Sequence, residues 1–417
     1  PAGGEPIYSG EISTNSFQLG RFMNNNQLGT IAFNGKVKGS SFVWEKLDMN
    51  INGTVRSLQF NDYTYQNITA KGTLKNRRFN GDFEINDPNA VLQGSGLIDL
   101  SKQTPTFNVV ASVKKLDLRA LQLTEDAISL TGDFNLNFNG KNISDFLGEA
   151  AFSSVTIMNG DKPLTFDSLV VSSSFDDGVR TLRARSTEFN AIITGKFNLE
   201  TLPDAVTLFL NRYYPSYIKP PRRSVENQSF TFDITTGVVE DYVKLIDPRL
   251  SGFNNSHITG SLDVFSNSLQ LNAQVPQASF QQYDFSDVVL TGDGNFDRLI
   301  VTGQVNNAIV SDSLSFPETA FRIEARNDTS DVSLTTAANQ TLNNAQLSAQ
   351  VRTFSNGFSV FFNPSSFVIN GKTWTLDQGG ELDQLEVARH RHVEADRDYH
   401  RHAQHDARNA DGALQRL

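Results

Sequence analysis

The chain contains no cysteine among its 417 residues, which removes disulfides and thiolate chemistry. That absence does not fix the compartment, although it suits a bacterial periplasm, where stray thiols are a liability. Basic residues are in the minority, 36 Lys and Arg against 46 Asp and Glu, for a net charge of −10. A nucleic-acid partner is therefore excluded, because binding a phosphate backbone needs a basic stripe. No stretch approaches the roughly 18 apolar residues of a membrane-spanning helix. The first residues, from Pro1, offer no Met, no charged n-region and no apolar h-region. The chain reads as a fragment or processed form whose membrane anchor, if it has one, lies outside these residues. Catalytic residue types are scarce as well. Five of the six His sit between His390 and His405, leaving His257 alone in the body of the chain, where it reads as a solvated strand-end residue. Asp and Glu are scattered over polar positions and turns. Gly94-Ser95-Gly96 and Gly292-Asp293-Gly294 are too short for a phosphate loop and precede no helix. Nothing assembles a nucleophile, base and orienter, so the chain does not read as an enzyme.

Phenylalanine is abundant, 31 against 9 Tyr and 2 Trp. Phe has no polar handle, so this usage points to wide apolar surfaces. The unit Ile/Leu/Val-Thr-Gly occurs five times, ending at Gly132, Gly195, Gly260, Gly292 and Gly303. The first copy continues with Phe134, Leu136 and Phe138 on one parity and Asp133, Asn135 and Asn137 on the other. A strand puts successive side chains on opposite faces, so this stretch has one apolar and one polar face. Phe230, Phe232 and Ile234 repeat the pattern, as do Leu269, Leu271, Ala273 and Val275, then Phe321, Ile323 and Ala325. Asn-Gly, the strongest short hairpin signal, occurs at Asn34, Asn52, Asn80, Asn139, Asn159, Asn356 and Asn370. The expectation is an all-β chain, an antiparallel meander over nearly its whole length. At ~12 residues per strand and turn it would hold ~30 strands, on the order of 140 Å of sheet. Open sheets rarely exceed ~10 strands without curling or splitting, so the sheet must curl into a trough.

Two segments interrupt the alternation. Residues 116–123 read as a short helical or turn link. Leu202, Ala205, Val206, Phe209, Leu210 and Tyr213 recur at helical spacing, with Thr201 as N-cap, Pro203 in the first turn and Pro215 as terminator. This helix, followed by Tyr217, Lys219, Arg222 and Arg223, reads as a cap on the apolar face of its own sheet; a place at a membrane interface is the alternative. The organisation expected is a first groove segment at 1–199, a helix and basic, aromatic connector at 200–224, and a second groove segment at 225–384. A low-complexity His/Arg/Asp/Ala tail follows at 385–417, disordered, weakly helical or artificial. His-x-His pairs at 390/392 and 400/402 offer imidazoles, but no fixed framework closes a specific metal shell. No metal and no cofactor is expected.

Residues 129–143, with Leu130-Thr131-Gly132-Asp133-Phe134, resemble the repeating β blocks of the TamB/AsmA-like family, and so do residues 79–85 and 92–100. The link Leu116-Asp117-Leu118-Arg119-Ala120-Leu121 is similar to that family's short connectors, and residues 363–374 look like versions found in Bacteroidetes-type bacteria. The likeness covers roughly residues 5 to 384. It implies a long curled apolar groove (a β-taco) in a periplasmic bridge anchored to the inner membrane. It also implies phospholipid acyl chains or nascent outer-membrane strands as cargo, and an outer-membrane β-barrel assembly partner of the TamA/BamA kind. The groove lining would include Phe134, Leu136, Phe138, Phe197, Leu199, Phe230, Phe232, Ile234, Phe321 and Ile323. The alternative is a cell-surface adhesin, a passenger-like β protein with a closed core that binds through its loops.

Overall fold

The computed structural model describes residues 6–385 apart from 125–126, 142–143, 161, 226–227, 312–313, 337–341, 370–371 and 377–380. The tail beyond 385 and the Asn370-Gly371 dipeptide lie outside the described residues. The chain opens with β1 (Ile7–Ser13), β2 (Phe17–Gln18) and the short helix α1 (Leu19–Met23). Then come β3 (Leu28–Ser40), β4 (Asp48–Phe60), β5 (Tyr63–Lys75), β6 (Arg78–Asp87), β7 (Ala90–Asp99), β8 (Thr106–Asp117) and β9 (Ile128–Asn139). β10 (Leu147–Asn159), β11 (Lys162–Asp176), β12 (Val179–Ser186) and β13 (Phe189–Lys196) lead to helix α2 (Leu202–Tyr213). After it come β14 (Ser229–Thr236), helix α3 (Glu240–Ile246), β15 (Leu250–Gly252), β16 (His257–Asp263), β17 (Ser268–Phe280), β18 (Tyr283–Gly294) and β19 (Leu299–Ser311). β20 (Leu314–Arg326), β21 (Thr329–Thr336), β22 (Leu342–Phe354), β23 (Gly357–Phe362), β24 (Ser365–Ile369), β25 (Lys372–Leu376) and β26 (Glu381–Leu385) complete it. Among the described residues no helix is long and apolar enough to cross a membrane.

Among the described residues, all 26 strands belong to one antiparallel sheet that does not close into a barrel. From β3 to β14 each strand pairs with the next. The sheet crosses the 200–224 segment without a break, since β13 pairs directly with β14. β14 pairs with β16, β15 and β16 share β17, and strict succession resumes to β22. β1 and β2 share β3, β23 and β24 share β22, and β26 and β25 pair with β23 and β24. Four rows are thus shared by two short strands each, leaving about 22 rows, on the order of 100 Å of sheet. The expected thirty strands were too many because many strands are long: β3, β4, β5, β17 and β19 each run to 13 residues.

The Asn-Gly reading holds at Asn159-Gly160, in the β10–β11 turn, and at Asn356, in the β22–β23 turn, but needs correction at three other positions. Asn34-Gly35, Asn52-Gly53 and Asn80-Gly81 stand in the middle of β3, β4 and β6. Each Asn faces solvent while its Gly meets another Gly across the ladder: Gly35 opposes Gly53, and Gly81 opposes both Gly72 and Gly96. A Cβ at Gly35 would come within 2.5 Å of the Gly53 backbone, so these glycines answer a cross-strand crowding, not a turn. Several tight turns use other residues. Asn61-Asp62, Asn76-Arg77, Asp177-Gly178 and Asn327-Asp328 each carry two positive φ values between paired strands, the signature of a type I′ hairpin. The 116–123 link is a turn: β8 continues to Asp117, and Leu121, fully buried, donates its N–H to Asp117 O at 3.0 Å.

α2 spans the expected residues. Thr201 gives no side-chain cap; its hydroxyl instead accepts Gln228 Nε2 at 2.8 Å. Ala205, Phe209 and Tyr213, at i, i+4 and i+8, are fully buried, whereas Val206 is 40% exposed, so the buried stripe is narrower than predicted. They pack with Phe230 of β14, Leu262 of β16 and Ala325 of β20. On a flat sheet β14 and β20 would lie roughly 24 Å apart, while residues 205–213 of a helix span roughly 12 Å. One helix face can reach both strands only because the sheet curls around it. α2 therefore caps the apolar face along the edge formed by the ends of β13, β16, β18 and β20. α3 lies at the opposite edge, where the Tyr242 ring packs tilted against Phe166, centroids 4.9 Å apart, and its hydroxyl donates to Thr165 O. At the N-terminal end, Phe22 of α1 and Trp44 of the loop after β3 meet with centroids 6.0 Å apart. The segments flanking β3 therefore fold back toward each other.

Candidate functional site on the apolar face

Strand register brings the inward residues into rows that run across the sheet, perpendicular to the strands. The central row begins Gly10, Val37, Ile51, Gly72, Gly81, Gly96, Val109 and Leu136. It continues through Ala150, Val171, Ala184, Ala191, Ile234 and Ile258. It ends with Ala273, Leu290, Gly303, Phe321, Leu334 and Leu347. Every member is apolar, from β1 to β22. The next row toward the α2 edge includes Phe79, Ile98, Phe107, Phe138, Leu182, Ile193, Phe232, Leu271, Val301, Ile323 and Val332. It carries two hydroxyls: Tyr8, at its β1 end, donates to Ser41 O at 3.2 Å, and Ser173, buried, accepts Arg180 Nε at 2.9 Å. Arg180, itself buried, also donates to the Phe146 and Ser144 carbonyls and lies over the Phe197 ring. Burial pulls its guanidinium below the ordinary arginine value, and nearby Asp145 opposes this.

Glycines set the height of the floor. A Cβ at Gly94 would lie 2.7 Å from Phe83 Cζ and one at Gly260 2.5 Å from Phe232 Cζ; at Gly303 it would strike the Phe321 ring. The Phe rings therefore lie flat over neighbouring glycines, an arrangement that covers exposed backbone. In the Ile/Leu/Val-Thr-Gly units, the first residue and the Gly face inward and the Thr outward. Thr291 and Thr302 exchange a hydrogen bond at 2.6 Å on the outer face.

Of the sequence-predicted lining, Phe134, Leu136, Phe138, Phe232, Ile234, Phe321 and Ile323 stand on this face, half-buried. Phe134 packs edge-on to Phe152, and Phe138 against both Phe107 and Phe146. Three residues depart. Phe230 is inward but only 6% exposed, because α2 covers it. Phe197 and Leu199 follow the end of β13 at Lys196, so strand alternation does not apply to them. Phe197 packs against Phe230 in the core beneath α2, and Leu199 lies in the turn before the helix. His257 opens β16 on the polar face and meets Asp233 at 3.0 Å.

Sequence reasoning missed how α2 is fastened. Asp328, in the β20–β21 turn, accepts Ser216 N–H at 2.9 Å and Ser216 Oγ–H at 2.8 Å, and donates its own N–H to Tyr213 O at 2.7 Å. The Tyr214 hydroxyl meets Ser330 Oγ at 3.0 Å. Tyr213 Oη is buried with no partner and burial raises its pKa, so the phenol stays neutral. Beyond this clasp lies a cavity of about 580 Å³ between the connector and β20–β23. A larger depression, about 850 Å³, lies on the opposite, polar face of β4–β10, walled by Lys71, Asp82, Gln93 and Asn135, and does not belong to the apolar rows.

Comparison of the chain with protein-family models, with curated proteins and with solved structures returns no match.

Proposed function

We propose that this chain is a middle segment of a TamB-like periplasmic bridge, and that its apolar face carries phospholipid acyl chains or nascent outer-membrane strands between membranes. The observation that carries the reading is the central row, apolar at each of the twenty strands it crosses between β1 and β22 and flanked by a second nearly apolar row. Each methylene laid on such a surface gains about 0.8 kcal/mol when fully buried. The effect is non-directional, so a chain can advance from one row to the next without breaking specific bonds. The curl of the sheet leaves the lining half-buried, accessible from one side only.

The test is lipid retention after incubation with phospholipid vesicles, with Leu136→Asp and Ala184→Asp compared with Asn135→Asp. The first two place a charge in the central row; the third places one on the outer face. Bound phospholipid is expected to fall several-fold in the inward variants and to stay unchanged in the outward one, with far-UV circular dichroism preserved in all three. Equal retention by all would remove the groove reading. No retention by the unaltered chain would return the adhesin reading.

A further inference from the structure

We infer that the cavity of about 580 Å³ beneath the connector is a separate binding site for one hydrocarbon chain of an anionic amphiphile, roofed by a strap that Asp328 holds shut. The inference deepens the reading above and rests on it, because it supposes that hydrocarbon reaches the apolar face. Ile323, Val332, Val351 and Phe358 supply one wall from four successive strands, and Tyr214 and Ile218 supply the roof. The cavity is a cleft open to solvent on the Phe358 side, and its volume falls within the roughly 300–1,000 Å³ of clefts and cavities that bind small ligands. The open rows contact a chain from one side; here it would be covered from two.

Three observations set this site apart from the rest of the face. The first is continuity. Ile323 and Val332 belong to the second row, so a chain lying on β19 enters the cavity without leaving apolar surface. The second is the roof itself. It is fixed on one side by the fully buried Phe209 and Tyr213, and fastened at the other by the bonds from Asp328 to Ser216 and Tyr213. Asn211 Nδ2 donates to Ile218 O and keeps the strap folded back on the helix. The third is charge. Lys219 follows Ile218 directly, and Arg222 lies just beyond; both are exposed, in a chain whose net charge is −10. A cationic patch beside an apolar cavity suits a ligand with an anionic head and an apolar tail. Fatty carboxylates and anionic phospholipids share that chemistry.

The experiment places p-benzoylphenylalanine at Phe358, in the cavity, and separately at Phe134, on the open face. Each protein is irradiated with phosphatidylglycerol vesicles, with phosphatidylcholine vesicles, or with hexadecanoate. The expected result is an adduct at 358 with an anionic probe, several-fold weaker with phosphatidylcholine, and lost in Val332→Trp, which fills the cavity. Val351→Phe fills the same space from the next strand, should the tryptophan unfold the sheet. Phosphatidylglycerol or hexadecanoate adducts then identify which source of the shared chemistry is taken. Adducts at 134 alone would overturn the cavity site and leave the groove standing. Adducts at neither position would remove both. An adduct at 358 that survives both filling variants would overturn the cavity assignment, and equal labelling by phosphatidylcholine would overturn the anionic preference.

Discussion

Gly260 lies beneath the Phe232 ring and Gly303 beneath that of Phe321, while a methyl at Gly292, in the same Thr-Gly context, would meet Leu271 alone, at ordinary contact distances of 3.4 and 3.9 Å. Identical sequence units therefore meet different surroundings, and a single methyl distinguishes them. Gly260→Ala and Gly303→Ala should each destabilise the protein by about 1–3 kcal/mol, because the ring must lift from a packed floor and, at 260, the new methyl also meets the Gln270 backbone oxygen. Gly292→Ala should be neutral or stabilise by about 0.4–1 kcal/mol through the unfolded chain. Urea unfolding midpoints measure all three, and a uniform response would mean that ring stacking is not what the glycines serve. The same residues mark where sequence reading ran out. Alternation placed Phe134, Leu136 and Phe138 on one face because strand period is a local property. Asn34-Gly35 looked like a turn because a dipeptide does not reveal that Gly53 lies across the ladder.

At the scale of elements, α2 was legible because its apolar stripe is long enough to show a helical period. Its role as cap also holds, with Phe209 fully buried against Phe296 and Arg212 resting on the same ring. Phe209→Ala should cost about 3–5 kcal/mol, and Val206→Ala, on the exposed side, should stay within about 0.5 kcal/mol. Thermal or chemical denaturation with matched probes on both sides of α2 tests this; equal effects would mean the helix does not sit as described. α3 was not foreseen, for a physical reason. Its seven residues are too few to show a period, and the N–H groups of Val239 and Glu240 at its start are satisfied by Asn254 Oδ1, from a loop further along the chain, at 2.7 and 3.2 Å. A cap supplied from a distance leaves no local signature. The clasp on Asp328 was invisible for the same reason, since 112 residues separate it from Ser216.

For the whole molecule, a sheet in which nearly every strand touches only its neighbours in sequence has no single core. A buried apolar cluster lies under α2, and β1 is exposed over most of its length. Stability should therefore be graded along the sheet. Amide exchange is expected to be slowest in β13, β14, β16 and β20 and fastest in β1 and β25. Uniform protection throughout would indicate a cooperative core that this arrangement lacks. All-β character, curl and a central helix could be read from periodicity and the limits on open sheets. The number of rows could not, because strand length is decided by cross-strand pairing. From β3 to β13 the ladder never skips a strand, so removing or duplicating one hairpin changes the reach by roughly 10 Å while its neighbours simply re-pair. On the proposed bridge reading such a chain would work as a ruler, whose span between two fixed points is reset by counting hairpins, with no redesign of what lies on either side.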